Sequence, residues 1–220
     1  MNKLNPCVTG STKVWTVNGI KSFQDLAAVD EDVLVYCLDV DGNIKVSKMF
    51  HPRLTGYSIE VMKVYLTDGT ELNVTLNHMI LTKRGYVMAG DLEEGDEIVT
   101  VKKGVVLPTE IDEKDRKFTE YTGTKKGTVI KTCEVTGKEF ECVWDEREVC
   151  TIEGYEADLY NIKSQINIGS SGDYKYVTVD KVEFPESRTN VYNGTVAVYH
   201  NYFTVDENTN TIVNQLNCGE

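Results

Sequence analysis

Three residues near the ends of the 220-residue sequence have side chains that can react with the backbone: Cys7, Asn217 and Cys218. The carboxamide of Asn217 can attack its own backbone carbonyl, which closes a succinimide and cleaves the chain. The two thiols can attack acyl groups. Since an Asn-Cys pair near a terminus usually has no chemical role, this interpretation requires partner residues elsewhere in the sequence.

The candidate partners are histidines, which are scarce in this chain: His51, His78 and His200. An imidazole titrates near neutral pH and can donate or accept the protons that such acyl transfers move. His78 ends the segment Thr75-Leu76-Asn77-His78, and His200 directly precedes Asn201. A structural role is open for each, since His78 could cap a loop and His200 could pack within a strand.

Short strands separated by tight turns must position these side chains. Asn18-Gly19, Asp41-Gly42 and Asp68-Gly69 are strong hairpin-turn signals. The flanking segments are rich in apolar and β-branched residues, and Ser22 is a candidate N-cap for one short helix. The pattern predicts an all-β fold, with strands at 12–17, 33–38, 59–66 and 72–75, a strand that runs into Val101, and further strands within 174–205 and at 211–213.

The middle of the chain, 102–173, differs in composition and is predicted to be an insertion, either α+β or irregular. A hairpin is predicted over 125–140 around Thr136-Gly137, and apolar residues at helical spacing occur at 155–166. The insertion contains no histidine and no LAGLIDADG-like segment, so a homing endonuclease is not expected there. A zinc site is not expected either, because Cys133, Cys142 and Cys150 lack ligand-pair spacing.

Composition limits the general class of protein. The hydrophobic fraction of 40% suits a globular domain, and the net charge of −12 disfavours broad binding to nucleic acids or anionic membranes. No apolar run is long enough to span a bilayer, and residues 1–6 carry no secretory signal. The scattered cysteines are typical of reduced thiols, so we expect a cytoplasmic protein without a metal or cofactor.

Four segments together resemble one family, the inteins of the Hint superfamily. Cys7 with its following turn and strand is similar to the N-terminal block, and Thr75 to His78 is similar to the Thr-x-x-His block. The segment 191–203, which carries His200, is similar to the penultimate block. Asn217-Cys218 is similar to the C-terminal splice junction. The segment from Ala89 to Asp96 also resembles the stretch that follows Thr-x-x-His in the family.

The resemblance implies a horseshoe of curved β-hairpins and a four-step self-splicing reaction. Cys7 would form a thioester with Pro6, Cys218 would take over the acyl group, and Asn217 would cyclise. An S-to-N shift would then restore a peptide bond. His78 and Thr75 would act at the Cys7 nitrogen, and His200 would assist Asn217.

The same resemblance divides the chain into five segments. Residues 1–6 and 218–220 would be extein remnants, 7–101 and 174–217 the two parts of the splicing domain, and 102–173 the insertion. The partners implied are the flanking exteins in cis.

Two residues depart from the family pattern. Leu216 stands where the family usually has a histidine, and Asn193 stands where it usually has an aspartate. Leu216 cannot transfer a proton, and Asn193 lacks a charge, so Asn217 cyclisation is predicted to be slow or conditional and to depend more on His200.

Removal of 7–217 would leave Asn-Pro-Cys-Gly-Glu, which resembles the active-site cysteine motif of ribonucleotide reductase large chains. We therefore expect such a host. Two other functions are open: a Hint-type autoprocessing domain that cleaves without ligating, and a non-catalytic β-rich binding module.

Overall fold

Antiparallel β-strands make up most of the protein. The computed structural model describes residues 6–132, 136–149, 166, 168 and 172–216. Within these ranges, the strands are Val8–Thr9 (β1), Lys13–Thr16 (β2), Gly19–Ser22 (β3), Val33–Leu38 (β4), Ile44–Glu60 (β5), Met62–Leu66 (β6), Glu71–Val74 (β7), Met79–Thr82 (β8), Gly85–Met88 (β9), Glu97–Val101 (β10), Tyr121–Thr132 (β11), Glu139–Val149 (β12), Tyr174–Glu183 (β13), Arg188–Val196 (β14), Asn201–Asp206 (β15) and Thr211–Leu216 (β16). In the same described ranges, the helices are one α-helix, Phe23–Val29 (α1), and two 3₁₀ helices, Ala89–Asp91 and Glu113–Thr119.

Fourteen of the strands form one sheet, in the order β10-β13-β6-β7-β1-β14-β5-β4-β2-β15-β16-β8-β9, with β3 on β2. The strand at one end of this order, β10, also pairs with β16 and with β8, which lie near the other end. The sheet therefore closes on itself, which leaves fewer unpaired edges. This architecture confirms the all-β prediction.

The described residues form three buried apolar clusters. The largest contains Val14, Phe23, Val64 and Tyr202, and the second contains Tyr36, Leu81, Phe203 and Leu216. The smallest consists of Cys7, Ile59, Val61 and Val191. Tyr202 and Phe203 are neighbours on β15 but belong to different clusters, since successive strand side chains point to opposite faces. Strand β15 therefore separates the two larger clusters.

Local signals explain the short elements. The Ser22 hydroxyl accepts a hydrogen bond from the Asp25 amide at 3.2 Å and caps α1, as predicted. Gly42 and Gly69 adopt positive φ values of 83° and 92° in the predicted turns. No helix in the described ranges is long and apolar enough to cross a membrane.

The middle of the chain contains a separate two-stranded sheet, β11 with β12, which confirms the predicted hairpin. The residues before this hairpin pack on the main domain, because Phe118 lies against the largest apolar cluster and Leu107 against the second. Lys45 also forms a 2.8 Å ion pair with Asp112. The helical spacing predicted at 155–166 falls almost entirely outside the described residues.

Candidate functional site

The backbone of Cys7 is held by Thr75. The Cys7 amide donates a hydrogen bond to Thr75 Oγ1 at 3.0 Å, and the Thr75 amide donates to the Cys7 carbonyl at 3.0 Å. Both residues are buried, at 3% exposure each. The peptide bond before Cys7 therefore has its leaving nitrogen fixed by a side chain predicted to act there.

The segment Thr75 to His78 is one tight turn. The His78 amide donates to the Thr75 carbonyl at 3.0 Å, and Thr75 Oγ1 donates to Asn77 Oδ1 at 2.8 Å. The 3₁₀ helix Ala89–Asp91 also contacts this turn, because the Ala89 amide donates a hydrogen bond to the His78 carbonyl at 2.7 Å. The turn explains why Thr75 and His78 are three residues apart, because its hydrogen bond joins the first residue to the fourth.

The His78 side chain is buried and has one described partner. Its Nε2 lies 2.5 Å from Gln215 Oε1, and Gln215 Nε2 donates to Thr204 Oγ1 at 2.5 Å. Its Nδ1 has no hydrogen-bond partner among the described residues. Burial lowers the pKa of His78 from 6.5 to about 4, although the Gln215 hydrogen bond opposes that shift. His78 is therefore neutral at neutral pH.

The Cys7 thiol contacts a hydroxyl on another strand. Cys7 Sγ lies 3.0 Å from Thr55 Oγ1, and Thr55 Oγ1 donates to the Val191 carbonyl at 3.2 Å. Thr55 lies on β5, and Val191 lies on β14, its neighbour in the sheet. Since the Thr55 hydrogen is used on Val191, Thr55 Oγ1 is the acceptor and the thiol the donor. Thr55 lies outside the sequence motifs and was not predicted to belong to the site.

A buried phenol completes the surroundings of Cys7. Tyr202 OH has no hydrogen-bond partner in the described part of the chain, and its ring meets Phe23 edge to face at 5.7 Å. Burial and the nearby Cys7 raise the pKa of Tyr202 well above its ordinary value. The phenol therefore stays protonated and can donate a hydrogen bond.

His200 lies in a strained turn between β14 and β15. Its φ is 51°, and that of the β-branched Val198 is 69°, both in the left-handed region that non-glycine residues seldom adopt. The turn is held by the fully buried Asn201, whose Nδ2 donates to the Tyr199 carbonyl at 2.9 Å. Tyr199 OH donates to Asp115 at 2.6 Å, so the middle of the chain also contacts this turn.

The two residues that depart from the family pattern have structural partners. Leu216 is fully buried in the second apolar cluster with Phe203. Asn193 Oδ1 accepts a hydrogen bond from the Gly194 amide at 2.8 Å. Asn217 and Cys218 lie outside the described residues, so their predicted roles stay predictions.

No group of three or more metal-binding side chains occurs among the described residues. Cys133 and Cys150 lie outside those residues, and the Cys142 side chain is not described. The expectation that the protein holds no metal or cofactor stays a prediction.

Comparison with known protein families identifies the class of protein. The intein splicing domain model matches residues 17–213, so the chain belongs to the intein splicing domain family. Inteins excise themselves autocatalytically and act in cis on the exteins that flank them. This assignment supports a self-splicing domain over a non-catalytic binding module.

Solved structures share the fold at low sequence identity. A variant of the Ssp DnaB mini-intein matches with a TM-score of 0.59 at 11% identity, over 100% of each chain. The DnaB intein of Synechocystis sp. PCC 6803 gives 0.53 at 14% identity, over 94% of this chain and 96% of that one. The TvoVMA intein gives 0.56 at 16%, over 96% and 97%. These matches confirm the Hint-type horseshoe.

One relative matches by sequence. DNA topoisomerase 1 of Pyrococcus furiosus is 35% identical over 100 residues, which is 43% of this chain. The match spans 9% of that relative.

Proposed function

We propose that this intein splices through Cys7, Cys218 and Asn217, starting with an N-to-S acyl shift at Cys7. The observation that supports this best is the pair of hydrogen bonds that fix the Cys7 backbone on Thr75, including 3.0 Å from the Cys7 amide to Thr75 Oγ1. The Cys7 sulfur attacks the Pro6 carbonyl, the new C–S bond forms, and the C–N bond to Cys7 breaks. Thr75 holds the leaving nitrogen during this step.

The proton balance of this step assigns a role to His78. The thiol loses a proton and the Cys7 nitrogen gains one. A neutral imidazole can accept the first proton and deliver the second, and the buried Nδ1 without a described partner is the available atom. Because burial holds the pKa of His78 at about 4, the accepting form predominates at neutral pH.

The later steps use the C-terminal junction. Cys218 attacks the thioester, takes the N-terminal flank and releases the Cys7 thiol. Asn217 then cyclises with His200 as its proton donor or acceptor, which breaks the peptide bond to Cys218, and an S-to-N shift restores a peptide bond between the flanks. We propose that this half is slow or conditional. Leu216 lies in an apolar cluster instead of supplying a proton donor, and Asn193 is neutral.

The domain boundaries and the host follow from the same proposal. Residues 1–6 and 218–220 are extein remnants, and 102–173 is an insertion without endonuclease activity. The ligated Asn-Pro-Cys-Gly-Glu motif supports a ribonucleotide reductase large chain as host. The gene sequence on both sides of the intein tests this: flanks without reductase similarity contradict it.

Mass spectrometry of freshly expressed protein with extended flanks tests the function. Splicing yields one product in which the flanks are joined by a peptide bond, together with the free intein. Separate, unjoined flanks support the alternative of a cleaving Hint-type domain. A Cys7→Ala variant is the control, and it should yield no joined flanks.

A further inference from the structure

Strand β16, which leads to the C-terminal junction, carries a side chain that reaches the N-terminal site. Gln215 lies two residues before Asn217, is 1% exposed, and contacts His78 across 137 positions of sequence. Its neighbour Leu216 points to the opposite face and packs in an apolar cluster. Gln215 and Asn214 are thus two buried amides in the strand that leads to the C-terminal junction.

Both ends of the Gln215 amide have partners. In the structure, Nε2 donates to Thr204 Oγ1 on the paired strand β15, and Oε1 faces His78. A carbonyl oxygen only accepts, and therefore His78 Nε2 must carry the ring hydrogen. In a neutral imidazole the other nitrogen, Nδ1, is then the unprotonated acceptor.

Gln215 also lines a cavity. This cavity of about 390 Å³ is lined by residues that include Thr204, Gln215, Thr9 and Asn73, and His78 is not among them. The Gln215 side chain therefore contacts both the imidazole and this polar space. It contributes to the burial that keeps His78 neutral.

We propose that Gln215 is a positioning residue for the first splicing step: it fixes the Nε2-protonated tautomer of His78 and so directs Nδ1 to act as the proton acceptor. This inference rests on the proposed function of His78. It also links the two junctions, because a side chain of β16, which precedes Asn217 in sequence, sets the tautomer of a group that serves Cys7.

The rate of thiol-induced cleavage at Cys7 tests this role. The background carries Asn217→Ala and Cys218→Ala, so that only the first step is measured. Gln215→Met keeps roughly the side-chain volume but loses the hydrogen-bond acceptor. We expect it to slow cleavage by about 10–100-fold, the range seen when a residue that orients a metal-bound histidine is removed.

The conservative substitution Gln215→Glu should restore the cleavage rate that Gln215→Met loses. A carboxylate accepts the same Nε2 hydrogen and stabilises the protonated imidazole. We expect most of the rate to return, with the acidic limb of the pH–rate profile moved to higher pH. In the described part of the chain, burial and Gln215 set the pKa of His78, and Cys7 and Tyr202 are the other titratable groups of this site.

Asn214→Leu is the matched control. Asn214 is a fully buried amide on the same strand, but it bonds to Tyr86 and Asn201 instead of His78. The Asn214→Leu variant should have a lower free energy of unfolding but a pH–rate profile of unchanged shape. Nitrogen-15 NMR of the unsubstituted chain gives the tautomer directly, and a His78→Gln variant assigns the signals among three histidines.

The outcomes separate the two proposals. A hydrogen on Nδ1, or a Gln215→Met variant with the unsubstituted rate and pH profile, overturns the role of Gln215. If the background protein is not cleaved by thiol, or Cys7→Ala is cleaved equally, the proposed function itself fails and the role of Gln215 falls with it. If Gln215→Met does not fold, the NMR measurement and the rate of the Gln215→Glu variant test the role of Gln215.

Discussion

The surroundings of the two splice junctions are stabilised by different interactions. Around Cys7, side chains from distant parts of the chain form hydrogen bonds with the backbone and with one another: Thr75 on the Cys7 amide, Thr55 on the thiol and Gln215 on His78. Before Asn217, Leu216 is held by apolar packing, and Asn193 bonds to the adjacent backbone. Hydrogen-bonded groups can be fixed for proton transfer, whereas apolar packing supplies stability alone.

This contrast explains why the first step should be more competent than the last. Preorganised polar groups lower a barrier because they need no rearrangement when charge develops. On the C-terminal side, the described hydrogen bonds of Asn201 and Tyr199 hold the turn at His200, and the residue before Asn217 packs in an apolar cluster. The comparison can be sharpened by four changes.

The largest effect is expected from Thr75→Val. The substitution keeps the shape of the side chain but removes the hydroxyl that holds the Cys7 amide. Thiol-induced cleavage at Cys7, followed by mass spectrometry, should slow by about 100-fold, as when one preorganised hydrogen-bonding group is lost. Thr70→Val is the control, because the buried Thr70 hydroxyl contacts Thr209 and not Cys7. Equal cleavage rates in the two variants would show that the Thr75 hydroxyl has no role in the first step.

The second prediction concerns the C-terminal side. Leu216→His should accelerate Asn217 cyclisation, but by less than the roughly 100-fold that a well-placed general acid contributes. The gain is limited because the side chain at 216 packs in an apolar cluster. The same burial should lower the free energy of unfolding by about 2–4 kcal/mol. Cyclisation is read from release of the C-terminal flank, and an unchanged rate would show that Leu216 is not the cause of slow release.

The third prediction is a pH dependence of stability. The folded pKa of His78 is about 4, below its ordinary value of 6.5, so the unfolded chain binds the extra proton between these values. Stability therefore falls as the pH drops from 6.5 toward 4, by about 3 kcal/mol for a shift of this size. Urea unfolding at pH 7 and at pH 4.5 measures the difference.

Two variants identify the group behind that dependence. His78→Gln should flatten the dependence in this window, and the more accessible His51 gives the matched control, His51→Gln, which should retain it. A dependence that persists in His78→Gln would assign the titration to another group.

The smallest effect is expected from Tyr202→Phe. The phenol oxygen has no partner in the described ranges, so its removal should raise the free energy of unfolding by about 1 kcal/mol, as measured by urea denaturation. A loss of stability would instead indicate that a residue outside those ranges binds this hydroxyl. That result would place a further polar contact near Cys7.

Much of the fold could be predicted from local signals. The strand at 33–38, the Ser22 cap and the Asp-Gly turns each depend on residues close in sequence, and the structure confirms them. The long strand β5 was not predicted. It contains Pro52 and Gly56, and it has positive φ at His51 and Ser58 and register shifts against β14.

The site was predictable only in part. Cys7, Thr75 and His78 have reactive side chains at a recognisable spacing, and their roles stay predictions. Thr55 and Gln215 could not be found, because their contacts span 48 and 137 positions and depend on sheet closure. The final strand carries two neighbouring amides, Asn214 and Gln215, and no local feature of the sequence distinguishes the one that contacts His78.

The most direct test of the central claim is the intact mass of the freshly purified protein over time, with and without added thiol. We predict that thiol releases the N-terminal flank at Cys7 well before the chain breaks after Asn217, and that Cys7→Ala abolishes the first event alone. Cleavage after Asn217 that is faster than thiol-induced cleavage at Cys7 would contradict the account.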